Sequence, residues 1–474
     1  MTVVGLDDTD SRTRGMCTTY VGHRVAERLR TRGTVDRLLL VRCNPAVEHK
    51  TRGNAAVGIH TDVAPAVAHD LARDVIEELA VREDPATDPG LVVAPAEPGD
   101  ISDRLARFAN AAVRDHLAID TAERLIDRLE LCSATWGEGR GRIGALAAVG
   151  AWNGWTGAGA GPDWTHECIA YRPRDRWGTP REVDVASVRA AAAAQYPRVW
   201  DTIDRASGDV VCVPHTPGPV LFGIRGDDAE SVMAAAGAID AEPIDAMERF
   251  LTNQGTDAHL RPGRIGTVRD GRAYRVTGTV IESPETREGG HVFLTIGEGP
   301  LGATNESGHG SLGTVAHDPS PANAPTRERG RDFAGSVGAV RERNDREPAL
   351  PCVAFEPTKR FRDRVRALRR GDRITVCGEV TDGTLKLEKF AVRTLVRTVA
   401  RTPVCPDCGR RMESAGRGQG YRCRSCTTAR AEPAIERLDR GLRPGWYEVP
   451  PVARRHVAKP LVRGGFDAPI HPSR

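Results

Sequence analysis

No stretch of the 474-residue chain comes near the ~18 consecutive apolar residues that a membrane-spanning helix needs, so no membrane partner is expected. The chain opens on a strand-like run and acids. It has none of the basic residues and apolar core of a secretory signal, and a cytoplasmic protein is expected. Cysteine is too sparse for a secreted disulfide scaffold: of eleven, seven are scattered singly and four cluster near the C-terminus. Lysine is nearly absent, with only five among 67 basic residues. Arginine, which forks two donors onto a phosphate and stacks on bases, carries the positive charge.

What is present is unevenly spread. The net charge of +3 says little. From Pro357 to Arg474, however, 27 basic residues face 12 acidic ones, and the rest of the chain is acidic. That asymmetry points to a nucleic-acid-facing C-terminal part beside an acidic, metal-using N-terminal part. The length accommodates about three or four domains.

The most informative stretch is Gly5-Leu6-Asp7-Asp8-Thr9-Asp10, followed by Gly15-Met16-Cys17-Thr18-Thr19. Thr2 to Leu6 is short, apolar and β-branched, the pattern of a buried strand. Thr18, Val21, Val25 and Leu29 then fall on one face of a helix. Three carboxylates thus stand between a strand's end and a helix's start, an edge where open α/β sheets bind ligands. Asp7, Asp8 and Asp10 are hard oxygen ligands suited to Mg²⁺ on nucleotide phosphates, and a helix start offers N–H groups to an anion. The alternative is a polar turn, with Asp10 or Thr18 as the helix cap.

Two further loops carry phosphate-binding chemistry. Leu38–Val41 and Ala55–Ile59 are expected strands, joined through His49-Lys50-Thr51-Arg52-Gly53-Asn54, where Lys50 and Arg52 can clamp phosphates or form a solvated turn. Gly137-Glu138-Gly139-Arg140-Gly141-Arg142-Ile143-Gly144 opens an apolar helix, and its glycines let a backbone approach a phosphate beside Arg140. No apolar strand run precedes it, so it does not fit the dinucleotide fingerprint, and a flexible turn is its alternative. A hinge is expected near Asn153–Gly161. Residues 163 to about 262 read as strand His166–Tyr171, helix Val183–Ala194, strands Val210–Val213 and Val220–Ile224, and helix Ala229–Ala236. The segment ends in the polar Leu251-Thr252-Asn253-Gln254-Gly255-Thr256-Asp257-Ala258-His259.

Beyond residue 263, five alternating runs with a turn at Asp382-Gly383 predict an OB-fold barrel. A flexible insertion is expected at about 297–348. Lys359–Arg370 holds seven basic residues against Asp363, a phosphate-contacting helix or a solvated face. Cys405-Pro406-Asp407-Cys408 and Cys423-Arg424-Ser425-Cys426 have the spacing of a Cys₄ zinc ribbon. With Cys405, Cys408, Cys423 and Cys426 filling all four positions, Zn²⁺ would be structural.

The run GLDDTD…RGMCTTY, with NP…KTRGN, GxGRGxIG and TNQGTD in order, resembles the archaeal tRNA(Ile) 2-agmatinylcytidine synthetases over nearly the whole chain. The departures are the insertion and the arginine-rich composition. The resemblance implies a multidomain α+β chain: an α/β kinase-like domain (1–155), a ferredoxin-like domain (156–262), an OB-fold domain (263–400), a zinc ribbon (401–430) and a basic tail (431–474). It implies an ATP-dependent ligase that replaces the C2 oxo group of the wobble cytidine in tRNA(Ile) with agmatine, with no obligate protein partner. Asp7, Asp8, Asp10 and Thr18 would then be catalytic, with Asp7 and Asp8 on Mg²⁺ and Thr18 taking a phosphoryl group. Lys50, Arg52, Gly137, Gly139, Arg140, Gly141, Asn253, Gln254 and Asp257 would bind ATP or a base. A non-catalytic single-strand binder is the alternative, since barrel plus ribbon describes such chains too, and a tRNA-binding ATPase of other purpose is a third reading.

Overall fold

The computed structural model describes all residues except 12, 13, 49, 51, 52, 98, 99, 157–163, 300–347, 456, 457 and 474. Arg52, most of the expected hinge and most of the expected insertion therefore lie outside the described residues. The chain forms two units, one of Met1–Gly297, Ala349–Leu395 and Leu442–Arg474, the other of Glu298–Pro348 and Val396–Gly441.

In the first unit, nine strands share one sheet: β1 (Thr2–Asp7), β2 (Val35–Arg42), β3 (Ala55–Thr61), β4 (Gly90–Ala94), β5 (Cys132–Thr135), β6 (Thr165–Tyr171), β7 (Val199–Trp200), β8 (Val220–Gly226) and β9 (Ala246–Thr252). Their order is β5-β4-β1-β3-β2-β9-β6-β8-β7. Along β1, Val4 and Leu6 enter one core and Val3 the other, the two-residue period of extended backbone. Both neighbours of β1 run antiparallel, with Val4 opposite Ile59 and Val93. The acidic motif therefore ends a strand in an antiparallel region, and the edge rule for open parallel sheets is not what places it. The single parallel pairing, Leu39 with Leu251 and Leu40 with Thr252, joins β2 to β9. The expected boundary near residue 155 falls within this continuous sheet.

Helices cover both faces. α1 (Thr18–Arg30) and α2 (Pro65–Leu79) pack on one, through the expected Val21, Val25 and Leu29, all fully buried. Each such side chain contributes about 1.5–3 kcal/mol by leaving water. α3 (Asp103–Arg114), α4 (Ile119–Arg128) and α5 (Gly141–Thr156) pack on the other face. α5 seats its first turn against the end of β1. A Cβ at Gly5 would strike the Ala145 carbonyl, and one at Gly144 the Asp7 carboxylate. Only glycine permits that approach.

The second half of the sheet runs β6, α6 (Val185–Gln195), β7, β8, α7 (Ala229–Gly237), β9. The expected strand at Val210–Val213 does not form. Val211 and Cys212 both donate backbone N–H bonds to Thr202 O, at 2.9 and 3.2 Å, and wrap irregularly past β7, which supplies the strand instead. Asp184 and Asp228 cap the two helices, each accepting from the backbone three residues on.

After the short β10 (Leu260–Gly263), five strands close a barrel: β11 (Arg272–Thr286), β12 (Val292–Gly297), β13 (Ala349–Ala354), β14 (Arg373–Thr381) and β15 (Thr384–Thr394). Around it the order is β11-β12-β13-β15-β14, and β14 pairs back onto β11. β13 and β15 are parallel. Asp382 and Gly383 turn β14 into β15 with φ of +51° and +66°, as a twisted two-residue hairpin requires. α8 (Phe361–Arg366) closes the barrel with Phe361 and Val365.

The last segment is not a free tail. Fully buried Trp446 lies in a strand, Gly445–Glu448, that pairs antiparallel with β15. The basic run around α8 is also engaged within the protein. Arg360 bonds both oxygens of buried Asp204, at 2.7 and 3.0 Å; Lys359 reaches Asp209; Arg362 reaches Glu356. Arg360 and Arg362 are thereby tied into the fold, while Arg364, Arg366, Arg369 and Arg370 stay exposed and keep a solvated basic face.

The second unit contains a two-stranded ribbon, Thr398–Arg401 with Ala434–Arg437, and a three-stranded sheet of Glu413–Ser414, Tyr421–Arg422 and Ala429–Arg430. Cys423 and Cys426 lie on the turn between the last two strands of this small sheet, and Cys405 and Cys408 precede its first strand.

Candidate active site and zinc centre

A cavity of about 770 Å³ opens at the end of β1. Asp7, Asp8, Asp10, Thr18, Lys50, Arg140 and Gly141 all line it, so the acidic motif, the lysine loop and the glycine-rich loop converge as expected. Asp7 is buried. Burial first, then the charges of Asp8 and Asp10, push its carboxyl well above the usual range. Such like-charge crowding away from water is characteristic of a site built to receive a cation. Asp8 adopts φ of +57°, and its carboxylate accepts the Asp88 N–H at 3.1 Å.

The capping alternative does not hold. The residue preceding α1 is Cys17, and its side chain makes no cap bond. Thr18 is the first helical residue, buried, with its hydroxyl 3.3 Å from that of Thr9. The N–H groups and positive dipole end of α1 thus face the cavity beside that hydroxyl. α5 begins at Gly141, whose N–H donates to Asp88 O at 2.9 Å. Gly137 and Gly139, at φ of +61° and +75°, shape the turn behind it without lining the cavity. Arg140 is held through Glu138 and Asp88.

The TNQGTD segment is not at the cavity. Asn253 accepts the Arg42 N–H at 2.8 Å and donates to Arg42 O at 3.0 Å. His259 also reaches Arg42 O, at 3.0 Å. Asp257 binds the buried Lys389 ammonium at 2.6 and 2.7 Å and the Lys459 N–H at 2.5 Å. Gln254 lines a smaller, second cavity. These residues form a layer behind the site, where Asn253 and His259 clamp the backbone of Arg42.

Sequence reasoning missed Arg42, Glu167 and Arg225, which line the cavity opposite the carboxylates. Glu167 and Arg225 are direct cross-strand partners with Oε1 and Nε 3.0 Å apart, and Arg42 Nη2 lies 3.6 Å from Glu167 Oε2. Burial would raise the Glu167 carboxyl, but Arg225 and Arg42 outweigh it and hold the group below its usual range. Oε2 is buried with no hydrogen-bond partner among the described residues. The available signal was a lone charge inside each of two otherwise apolar strand patterns.

In the second unit, the sulfurs of Cys405, Cys408, Cys423 and Cys426 all lie within 4.8 Å of one another. Four thiolates at ~2.3 Å from a tetrahedral zinc stand ~3.8 Å apart, so the group fits the ion. Each pair sits on a matching turn: Gly409 N–H donates to Cys405 O at 3.0 Å, and Thr427 N–H to Cys423 O at 3.1 Å.

Family models match three parts of the chain: the TiaS TCKD domain at residues 3–64, the TiaS FLD domain at 139–259 and the TiaS C-terminal zinc ribbon domain at 402–442. A tRNA(Ile) 2-agmatinylcytidine synthetase TiaS from Haloquadratum walsbyi is 52% identical over 477 residues, spanning 100% of both chains. That of Archaeoglobus fulgidus is 40% identical over 97% of each. A solved complex of TiaS with its isoleucine tRNA and ATP superposes with a TM-score of 0.79 at 37% identity, covering 100% of this chain and 99% of that one. A complex of TiaS with the same tRNA, AMPCPP and agmatine gives 0.77 at 35% with the same coverage. Fold and site together define a multidomain mixed α/β enzyme with a β-barrel, a zinc ribbon and a carboxylate-lined cavity. Within that class, the chain belongs to the TiaS family.

Proposed function

We propose that this chain uses ATP to join agmatine to tRNA(Ile), at the C2 position of the wobble cytidine of its CAU anticodon, so that the tRNA decodes AUA. The carrying observation is the convergence of Asp7, Asp8, Asp10, Thr18 and Arg140 on one cavity, in a chain matched end to end by synthetases of that name. A non-catalytic binder would need the barrel and ribbon but not this cavity.

The cytosine C2 oxygen is a poor leaving group. A phosphoryl group taken from ATP converts it to one that departs as phosphate when agmatine's primary amine bonds to C2 and sheds a proton. Asp7 and Asp8 would hold Mg²⁺, which when bound lowers charge repulsion on the triphosphate. Lys50, Arg140 and the first N–H groups of α1 steady the phosphates, together with Arg52. Thr18, at the start of α1, would accept a phosphoryl group. Glu167, which lines the cavity with its Oε2 3.6 Å from Arg42 Nη2, supplies the acidic partner that cationic agmatine needs. Asn253 acts one layer back, by fixing the backbone of Arg42, and Asp257 by holding Lys389.

Within this reading the first half of the nine-stranded sheet is the kinase-like part. The β-α-β-β-α-β run from β6 to β9 is the ferredoxin-like part. The closed barrel, with its parallel β13–β15 pair, is an OB-fold. No described helix is long and apolar enough to cross a membrane, in keeping with a cytoplasmic site of action.

The test is a tRNA(Ile) transcript with the CAU anticodon, incubated with ATP, Mg²⁺ and agmatine, with the nucleosides read by mass. An agmatine-sized gain on one cytidine is expected, and it should vanish in Asp8→Asn. ATP turnover without that gain would overturn the proposal in favour of an ATPase of other purpose.

A further inference from the structure

The outer face of the barrel carries a third cavity, of about 330 Å³, that shares no wall residue with the reaction cavity. Arg275, Cys377 and Lys389 stand opposite one another on β11, β14 and β15. Their neighbours Val276, Val376 and Phe390 enter the barrel core, so the two-residue period of a strand turns these three outward. The C-terminal segment folds over that face. Buried Trp446, with Lys459, Arg463, Phe466 and Asp467, completes the walls.

Positive charge exceeds negative there. Asp467 is one carboxylate shared by two guanidiniums, its Oδ2 lying 2.6 Å from Arg275 Nη2 and 3.1 Å from Arg393 Nη2. Burial would raise its carboxyl, but the Trp446 indole N–H and the two arginines outweigh burial and hold it at about 2. Asp257 is taken by Lys389, whose Nζ lies 2.6 and 2.7 Å from its oxygens. Arg463, with a side chain only 9% exposed, donates Nε to Asp227 and Nη1 to Gly255 O. With Lys459, five cations meet three carboxylates among the described residues. The same cations face the rings: Arg275 and Arg393 each lie 5.2 Å from the Trp446 ring centre, and Lys459 lies 5.6 Å from that of Phe466.

Cations gathered in a cleft beyond the number of their carboxylates repel one another and draw an anion in to complete the balance. Arginine forks suit the oxygens of a phosphate, and interleaved aromatic rings suit the nucleoside attached to it. The volume lies in the range, ~300–1,000 Å³, of small-molecule sites.

We propose that this cavity is a second phosphate site, apart from the reaction cavity, that takes the phosphate of a nucleotide on Arg275, Lys459 and Arg463. The nucleotide belongs either to the strand of the bound tRNA or to the free pool, and the donors are the same for both.

The experiment uses the full-length protein. Affinity for the tRNA(Ile) transcript is measured across a range of salt, and binding of radioactive AMP is measured without tRNA by equilibrium dialysis. For a nucleotide of the strand, Arg275→Met and Lys459→Met should each weaken tRNA binding about 5-fold or more and lower the slope of log K against log salt by about 1. Arg275→Lys, which keeps the charge, should keep the slope. For a free nucleotide, tRNA binding should not move, and Arg275→Met should bind one AMP fewer per chain than the wild type. Either pattern supports the site. Unmoved tRNA binding together with an unmoved AMP count overturns it. Weaker tRNA binding at an unchanged slope, equal in Arg275→Met and Arg275→Lys, marks a merely structural arginine and overturns it as well. The Arg275 side chain is 47% exposed, so its two variants keep the test decisive if Lys459→Met does not fold.

Discussion

The acidic motif at the end of β1 and the basic C-terminal part handle charge in opposite ways. Asp7, Asp8 and Asp10 crowd like charges together, and burial pushes the Asp7 carboxyl upward. From residue 357 onward, by contrast, many cations within the first unit already have carboxylates: Arg360 with Asp204, Lys389 with Asp257, Arg393 with Asp467, Arg455 with Glu379 and Glu388, and Arg463 with Asp227. The zinc ribbon differs again, with Arg410, Arg411, Arg417, Arg422, Arg424 and Arg430 all exposed. A net positive sum therefore overstates the charge free to meet RNA. Exposed arginines remain in both units, Arg364, Arg369 and Arg370 beside α8 as well as those of the ribbon, and the crowded carboxylates line the cavity.

The largest expected effect comes from breaking the acidic side of this contrast. Asp8→Asn keeps size and removes charge. Product formation should fall by about 10³-fold, as loss of several kcal/mol of transition-state stabilisation implies, with tRNA binding intact. Near-normal product by nucleoside mass would show that the active site is elsewhere. Thr18→Ala should abolish protein labelling by ATP radioactive in its γ-phosphate. Retained labelling would reduce Thr18 to a helix-start residue.

Next in size is the ribbon. One zinc per chain is expected by metal mass spectrometry, and it should be lost in a Cys405→Ser, Cys423→Ser double mutant along with much of the tRNA affinity. Unchanged metal content would remove the centre. The arginines give a finer test. Replacing exposed Arg411 or Arg422 with Ala should lower the slope of log K against log salt by about 1 each. Arg360→Ala, which frees a buried carboxylate partner, should lower stability and leave the slope unchanged. Equal slopes for both classes would mean that pairing does not decide which arginines meet phosphate.

The smallest effect follows from the sign of the Asp7 shift. A carboxyl whose folded pKa is raised favours folding when protonated, and that contribution disappears as pH rises through the folded value. At neutral pH Asp7 therefore opposes folding. Asp7→Asn should be inactive yet more stable, by of order 1 kcal/mol or a few °C in Tm, and the gain should vanish on titrating to pH ~3. A lower Tm at neutral pH would contradict the crowding argument.

Features carried by local pattern were legible in the sequence. Val4 and Leu6 alternate, Val21, Val25 and Leu29 recur at helical spacing, Asp382-Gly383 takes the backbone of its turn, and four cysteines at ribbon spacing meet in space. What escaped depends on distant partners. The two-residue β7 is too short to have a period, so Val210–Val213 drew the strand assignment instead. Asn253 looked like a base reader because nothing local reveals that its amide meets the backbone of Arg42, 211 residues away. The Arg42, Glu167 and Arg225 row needs three strands from separate parts of the chain, and so do the pairings that occupy the C-terminal arginines.

The parallel pairing of β2 with β9 sets how this cavity can open. Its acidic wall hangs from β1 and its Glu167 wall from β6, and the two are fastened by one unbroken ladder of backbone hydrogen bonds. Swinging the walls apart like a clamshell would tear the Leu39–Leu251 and Leu40–Thr252 registers and expose unpaired amides. Traffic through the cavity is therefore governed by its rim, the loops and helix starts that fringe a rigid floor.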